Sequence, residues 1–184
     1  MSAVQYDITY TGSRSRLTTL LRIILAIPHL IVANLLLRVA QVLSLIQWFI
    51  ILFTGKRNRG LFDLQNQWLG YGAATYSYVG VMFDDYPPFV NVAGLQAMRY
   101  GLEYEQQANR LTNFLRIIWA IPALIIGTII VTVGLIVTAI SWIVIVITGA
   151  HPQGMFDFLV KVHRYAVRLN AYLLLMTDTY PKYE

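Results

Sequence analysis

The sequence repeats itself at a fixed offset of 94 residues, and this duplication constrains the fold more than any other feature. The segment Leu21–Ile24 recurs as Leu115–Ile118, and Ala26–Pro28 recurs as Ala120–Pro122. The register continues without a gap through Thr-Gly, Gly-x-Phe-Asp and Asp-x-Tyr-Pro motifs. Internal repetition of this kind means that one structural unit is built twice. The chain is therefore a tandem duplication, with repeat 1 at residues 1–91 and repeat 2 at residues 92–184.

Each repeat contains one long apolar segment, at about 16–54 and about 110–148. Only 12% of the residues are charged and 57% are hydrophobic, whereas soluble domains carry about 25% charged residues. As a straight helix, each segment would be roughly 57 Å long, but the hydrocarbon core of a bilayer measures about 30 Å. We therefore predict a membrane helical hairpin in each repeat, with reversals near Asn34–Arg38 and Gly127–Gly134. Whether the hairpins cross fully or are re-entrant is left open.

The basic residues border the apolar segments, and the net charge is +5. This distribution is typical of the cytoplasmic bias of membrane proteins and argues against nucleic-acid binding. With both arms of each hairpin inserted, the termini and loops lie on the cytoplasmic side. The two repeats then share one orientation, as a parallel duplication in a multi-pass protein of the cytoplasmic membrane.

Two further elements complete each repeat. Tyr6, Ile8 and Tyr10 alternate with polar residues, which predicts a short half-buried strand, and repeat 2 opens with the same pattern. Amphipathic interfacial helices are predicted at about 61–80 and about 155–174. The predicted fold is thus an all-α membrane protein with minor β structure. It has two parallel tandem repeats, each with a short strand, a membrane helical hairpin and an interfacial helix.

Eight residues that recur between the repeats are assigned structural roles. Prolines inside the apolar segments are expected to kink helices, glycines after them to end helices, and aspartates to stabilise helix starts or turns. An ion pair to Arg16 or Arg22 is expected for Asp63, and one to Arg110 or Arg116 for Asp157. The eight are Pro28, Pro122, Gly55, Gly149, Asp63, Asp157, Asp84 and Asp178.

Basic side chains near the apolar borders are candidates for binding anionic lipid headgroups. Each basic residue beside an anionic surface contributes on the order of 1 kcal/mol, and arginine matches phosphate geometry well. The alternative is that these residues only enforce topology or pair with acidic residues. The candidates are Arg14, Arg16, Arg22, Arg110, Arg116, Lys161, Arg164 and Arg168.

A polar seam runs along the first apolar segment but not along the second. Asn34, Arg38, Gln41 and Ser44 recur at helical spacing. Polar residues at this depth either hydrogen-bond neighbouring helices or line a polar pathway. We favour the helix contact, and a headgroup-anchoring or snorkelling role for Arg38.

The chain shows no strong catalytic motif, and without cysteine it has no thiol chemistry. His151, Asp157 and His163 are the nearest approach to a metal set, but repeat 1 has no equivalent, so no metal, cofactor or catalytic residue is predicted. We expect a non-enzymatic membrane scaffold or accessory subunit, in a homo-oligomer or a membrane complex, acting through helix packing and anionic lipid contacts. The alternative is an oligomeric small-solute channel or carrier, and the third hypothesis is a lipid-modifying enzyme.

Taken together, the repeated motifs resemble a known bacterial domain. They are R-L-x3-L-R-I-I-x-A-I-P, then T-G, G-x-F-D and D-x-Y-P-P-F. They are similar to those of an integral membrane domain of unknown function that is abundant in actinobacteria. The resemblance covers most of both repeats, although Pro181-Lys182 replaces the second Pro-Pro and Arg57-Asn58 lacks the proline that follows T-G. It implies membrane placement and transfers no catalytic residue.

Overall fold

The computed structural model describes residues 4–183, and these form four helices and a small two-stranded sheet. The elements in chain order are β1 (Val4–Ile8), α1 (Arg16–Thr54), α2 (Arg59–Val79), β2 (Met98–Leu102), α3 (Arg110–Thr148) and α4 (Gln153–Leu173). A mostly helical, duplicated chain with a minor sheet is thereby confirmed. The short strands and the amphipathic helices form close to the positions that their patterns predict.

The ends of the long helix α1 are set by its own capping residues. Ser15 accepts a hydrogen bond from the backbone of Thr18, which satisfies one of the unpaired N–H groups of the first turn. Gly55 follows the helix at φ 71°, a left-handed conformation that favours glycine, and its N–H bonds to Ile51. In α3, Asn109 and Gly149 cap the helix in the same way.

The predicted helical hairpins within residues 16–54 and 110–148 are wrong, because each segment forms one continuous helix of 39 residues. Pro28 and Pro122 lie inside these helices. A Cβ atom on Gly127 or Gly134 would lie 2.6 Å from a side chain of α4. These glycines allow α4 to approach closely and do not form a turn.

The hairpin of each repeat instead joins a long helix to the amphipathic helix that follows it. After the turn at Gly55–Asn58, α2 runs back along α1. The Gln65 side chain donates to the carbonyl of Ala40 at 3.1 Å, and nearer the start of α1 the Arg22 guanidinium donates to the carbonyl of Tyr78 at 2.6 Å. Antiparallel packing therefore extends over most of the length of α1.

The two long helices are antiparallel to each other. The indole N–H of Trp48 donates to the carbonyl of Asn113 at 3.0 Å, and that of Trp142 donates to the carbonyl of Thr19 at 2.8 Å. The two tryptophans are 94 residues apart, and so are the residues whose carbonyls accept these bonds. The repeats are thus related by a pseudo-two-fold axis perpendicular to α1 and α3. The expectation that both repeats share one orientation in a membrane stays a prediction.

The two strands pair across the repeats and form the outermost layer on one side. β1 and β2 are antiparallel, with Tyr6 opposite Tyr100. The Tyr6 hydroxyl is 2.6 Å from that of Ser77 on α2, and the Tyr100 ring lies where a Cβ on Gly70 would be. The molecule therefore has three layers: α1 with α3, then α2 with α4, then the sheet.

The surface of α1 and α3 has an unusual distribution of polarity. The side chains of α1 that are buried lie on one stripe, which includes Arg22, His29 and Gln47. Large aliphatic side chains point outward instead, with Ile31 65% and Ile117 72% exposed. Both helices are long and apolar enough to cross a membrane. Large apolar side chains thus face the surroundings, and among the polar groups of α1 some are buried whereas Asn34, Arg38 and Gln41 are exposed.

Candidate functional site

Each repeat has one buried arginine that joins the start of its long helix to the end of its amphipathic helix. Arg22 donates to the carbonyls of Tyr78 and Phe83 at 2.6 and 2.7 Å, and to Asp84 at 2.6 Å. The Arg116 guanidinium makes the equivalent contacts in repeat 2, including 2.6 Å to Asp178. Because both arginines are almost fully buried, we name these two sites the arginine junctions.

The aspartates of the arginine junctions also fix the entry to each long helix. Asp84 accepts the backbone N–H of Ser15 at 2.8 Å, and Asp178 accepts that of Asn109 at 2.9 Å. The ion pairs that were expected for Asp63 and Asp157 are formed instead by Asp84 with Arg22 and by Asp178 with Arg116. Asp63 instead pairs with Arg59 one helical turn away, on the surface.

Aromatic rings complete the arginine junctions. The Arg22 guanidinium lies 4.5 Å from the centre of the Tyr78 ring, and that of Arg116 lies 4.3 Å from the Tyr172 ring. Burial raises the pKa of both tyrosines. Each phenol is therefore neutral, and the ring stabilises the cation through its face.

A second arginine enters each junction, but the two repeats supply it from different positions. In repeat 1, Arg14 donates to the carbonyl of Met82 at 2.6 Å. Its counterpart in repeat 2 is Ala108, and Arg57 reaches across from repeat 1 to donate to the carbonyl of Leu175 at 2.9 Å. Arg57 is also 2.6 Å from Asp178.

His151 is the counterpart of Arg57, and it lies at the junction of repeat 1. Its side chain is 1% exposed. Burial, together with the positive charge of Arg14, lowers the pKa of His151 to about 4. The junction of repeat 1 thus holds Arg14 with a neutral histidine, and the junction of repeat 2 holds Arg57 with an alanine.

These contacts decide which of the predicted headgroup residues face the surroundings. Arg14, Arg22 and Arg116 are buried on internal partners, so the headgroup prediction is wrong for them. Arg164 donates to the carbonyl of Tyr6 and Arg168 to that of Lys182. The predicted headgroup residues that are exposed are Arg16, Arg110 and Lys161.

A cavity of about 380 Å³ is lined by all four helices midway along α1 and α3, and it is open to the surroundings, since Asn34, Arg38 and Gln41 in its lining are exposed. It lies at the pseudo-two-fold axis, since many lining positions are equivalent in the two repeats. Pairs such as Leu37 with Val131 and Tyr76 with Asn170 are each separated by 94 residues. Ligand sites in proteins commonly occupy 300–1,000 Å³, roughly the range in which this volume falls.

The predicted polar seam divides between this cavity and a helix contact. Asn34, Arg38 and Gln41 line the cavity. Ser44 instead lies buried between α1 and α2, where it bonds to the carbonyl of Ala40 and to Gln65. The favoured helix contact is thus seen at Ser44 and also at Asn34, which accepts from Tyr76 of α2. A polar pathway stays a prediction.

Tyr76, His163 and Asn170 of the amphipathic helices are also polar lining residues, and none of them was predicted from the sequence to line a cavity. The Tyr76 hydroxyl donates to Asn34 at 3.1 Å. The ring nitrogens of His163 lie 2.9 Å from the carbonyl of Leu159 and 3.2 Å from that of Tyr76. Burial lowers the pKa of His163. The sequence did contain one signal for such a site: Tyr76 and Asn170 occupy equivalent positions of the two repeats, and both are polar.

The three residues considered for a metal set do not form one. His151 belongs to the junction of repeat 1, His163 lines the cavity, and Asp157 lies on the exposed side of α4. Within residues 4–183, no group of three or more histidine, aspartate or glutamate side chains is arranged to hold a metal ion.

Comparisons with known proteins give a family and no individual relative. Neither the curated proteins nor the solved structures yielded a significant match. A family model matches the chain twice, over residues 16–91 and residues 110–183. These matches contain both long helices, both amphipathic helices and both arginine junctions. The chain therefore belongs to the DUF4389 family, described as a domain of unknown function, and carries two copies of that domain.

Proposed function

We propose that this protein is a non-enzymatic scaffold or accessory subunit that lies in one leaflet of the cytoplasmic membrane. In this placement α1 and α3 lie parallel to the membrane plane with their outer faces in the lipid. The helices α2 and α4 and the sheet face the cytoplasm. The observation that carries the proposal is the order of the three layers, from an apolar outer face to an open polar sheet.

The apolar outer face needs a nonaqueous partner. Along α1, Ile24, Ile31 and Phe49 are each more than half exposed, and α3 presents a similar row. Exposed apolar patches much larger than a few hundred Å² mark membrane or protein contacts. Helices that lie in the interface plane bury such a face in the lipid at any length.

The packing of α2 opposes the alternative in which α1 crosses the bilayer. A crossing needs about 20 residues of helix, but α2 and its flanking turns cover α1 from Gln47 to Arg22. Crossing would place α2, α4 and the sheet at membrane depth as well. Asp157 and Lys161 are exposed on α4, and charges there are costly in hydrocarbon. Open sheet edges are also not tolerated in lipid.

The exposed basic residues are consistent with an anionic membrane surface. Arg16 and Arg110 lie at the starts of the two long helices, and because these are antiparallel, the two arginines are at opposite ends of the layer. Each lies beside the C-terminal glycine of the other long helix, where a cation is favourable. Basic residues at both ends would hold the layer flat against anionic headgroups.

The placement is tested with two single-cysteine variants at equivalent positions of the repeats. The chain has no cysteine of its own. Gly60 and Gly154 are both exposed and lie at opposite ends of the long helices. We expect an impermeant thiol reagent to leave Gly60→Cys and Gly154→Cys unlabelled in intact cells and to label both in inverted vesicles. Labelling from opposite sides would show that the long helices cross.

Controls in the same system define the two faces. Gln5→Cys on the sheet is expected to react in inverted vesicles, and Ile31→Cys on the outer face is expected to resist the water-soluble reagent. Gln5 is exposed on β1 and Ile31 on α1. Reaction of Ile31→Cys at the rate of Gln5→Cys would contradict burial of the outer face in lipid.

The class of function is tested by native mass spectrometry after purification in mild detergent. A scaffold or accessory subunit is expected to be recovered with further copies or with other membrane proteins. Recovery as a solitary monomer that moves solute in liposomes would favour the channel or carrier. Turnover of a lipid in liposomes would favour an enzyme.

A further inference from the structure

The central cavity differs between its two halves, although it lies at the pseudo-two-fold axis. Repeat 1 contributes Arg38 and Gln41 from α1. The equivalent residues of α3 are Thr132 and Leu135. At the arginine junctions, by contrast, Arg22 and Arg116 are equivalent and make the same contacts. The repeats have therefore kept one structural site and diverged at the cavity, where Arg38 is the one charged side chain among the lining residues in the described part of the chain.

The guanidinium of Arg38 is available for a further partner. It donates to Gln41 at 3.4 Å, which is a long contact, and within residues 4–183 it belongs to no ion pair. Asn34 beside it is already held, since it donates to Leu30 and accepts from Tyr76. The planar fork of an arginine matches the two oxygens of a carboxylate or a phosphate.

The remaining surface of the cavity is largely aliphatic. Leu37 and Leu69 line it from repeat 1, and Val131, Leu135 and Val167 line it from repeat 2. A ligand that fills this space therefore has one anionic end and one apolar end. An inorganic anion would satisfy Arg38 but leave the aliphatic lining in contact with water.

Arg38 also lies near the outer face of the long helices. At about 100° per residue, it is roughly 140° around α1 from the buried stripe, close to the direction of Ile31, which is 65% exposed. In the proposed placement, an amphiphile enters from the leaflet without passing through water. This step depends on the proposed function, whereas the chemistry of the cavity does not.

We propose that the central cavity binds one anionic amphiphile, such as a fatty acid or a single-chain phospholipid. Its carboxylate or phosphate binds Arg38 and Gln41, and its aliphatic chain packs against Leu37, Val131 and Leu135. The polar group is recognised from repeat 1, and the aliphatic chain contacts both repeats.

The test measures binding of radiolabelled oleate to the full chain in a neutral detergent, with oleyl alcohol as the uncharged analogue. We expect oleate to bind at least about tenfold more tightly than oleyl alcohol, and Arg38→Gln to remove this difference. Lys56→Gln removes an exposed charge outside the cavity and is expected to leave oleate binding unchanged. Val131→Trp fills the cavity and is expected to weaken both ligands by at least about tenfold.

The outcomes separate this proposal from its rivals. Retained binding of oleyl alcohol to Arg38→Gln shows that the variant is folded. Equal loss in Arg38→Gln and Lys56→Gln would show only nonspecific attraction and would overturn the site. Competition by inorganic phosphate as effective as that by oleate would show an anion site without an apolar part, and would also overturn it. Because the assay is done in detergent, labelling of Gly60→Cys and Gly154→Cys from opposite sides would refute the membrane placement without affecting this result.

Discussion

Buried arginines hold the ends of each repeat together, and their contacts connect residues far apart in the chain. Arg22 and Asp84 are 62 residues apart, and the same spacing separates Arg116 from Asp178. The sequence identified all four residues as recurrent, but assigned the aspartates to turns and the arginines to lipid headgroups or, as the alternative, to pairs with acidic residues that included Asp178. The reason is that recurrence at an offset of 94 residues shows which residues matter in both repeats without showing which of them are in contact.

At the residue scale, Arg57 leads to a specific prediction, because it belongs to repeat 1 and completes the arginine junction of repeat 2. Arg57→His removes a buried cation from the carbonyl of Leu175 and leaves Asp178 with Arg116 alone, so we expect a loss of about 1–3 kcal/mol in the free energy of unfolding. Adding Ala108→Arg recreates the pair found at the other junction, where Arg14 lies with His151. We expect the double variant to recover most of the loss, measured by thermal unfolding in detergent.

Two comparisons control this experiment. Arg59→Gln removes a solvent-exposed ion pair with Asp63, and such pairs contribute about 0–1 kcal/mol. If Ala108→Arg fails to stabilise the Arg57→His variant and destabilises the wild-type chain to the same extent, the two positions do not serve a common site.

At the scale of elements, the amphipathic patterns were predictive and the length argument was not. Strands with alternating polarity and helices with a polar stripe formed near their expected positions. The hairpin within each apolar segment was inferred from a helix too long to cross a bilayer, which assumes that the helix stands upright. A helix that packs against a neighbour along its whole length has no such limit. The alignment of the two repeats also could not show that Gly127 and Gly134 face α4.

The close approach of α3 and α4 is predicted to depend on the glycines at their contact. A Cβ atom on Gly134 would lie 2.6 Å from a methyl group of Val162, and valine is stiff at this position in a helix. We expect Gly134→Ala to lower the free energy of unfolding by about 1–3 kcal/mol, as overpacking does, despite the higher helix propensity of alanine. Adding Val162→Ala is expected to restore part of the loss, measured by thermal unfolding in detergent.

A matched glycine provides the control for this overpacking. Gly154 lies in the first turn of α4, and a Cβ there would meet nothing within 4 Å. Gly154→Ala is therefore expected to cause no loss of stability. Equal destabilisation by Gly134→Ala and Gly154→Ala would show that the effect does not come from contact between α3 and α4.

At the scale of the whole molecule, the two repeats form one structure and not two domains. The sheet contains one strand from each repeat, and Trp48 and Trp142 each bond to the long helix of the other repeat. The duplication itself was evident from the sequence. The direction of the axis was not, because two copies of one sequence are compatible with either parallel or antiparallel packing until contacts between them are known.

The arginine junctions make the two repeats complementary, and this leads to a prediction about the separated repeats. One junction holds Arg14 with His151 and the other holds Ala108 with Arg57. Two copies of repeat 1 would bring two further arginines to each junction beside Arg22, and two copies of repeat 2 would bring none beside Arg116. Pairing of unlike repeats is therefore favoured by avoided repulsion as well as by the contacts made.

We expect residues 1–91 and 92–184, when expressed together with different tags, to co-purify as a one-to-one complex, and each alone to be unstable. Copies of repeat 1 are expected to co-purify with one another far less than with repeat 2. Arg57→His in repeat 1 is expected to weaken the mixed complex, because that arginine crosses between repeats, whereas Arg59→Gln is not, because its partner Asp63 lies on the same helix. Co-purification of repeat 1 with itself as efficiently as with repeat 2 would mean that the junction charges do not select the partner. In that case Arg14 and Arg57 would fill equivalent positions at the two junctions without determining which repeats pair.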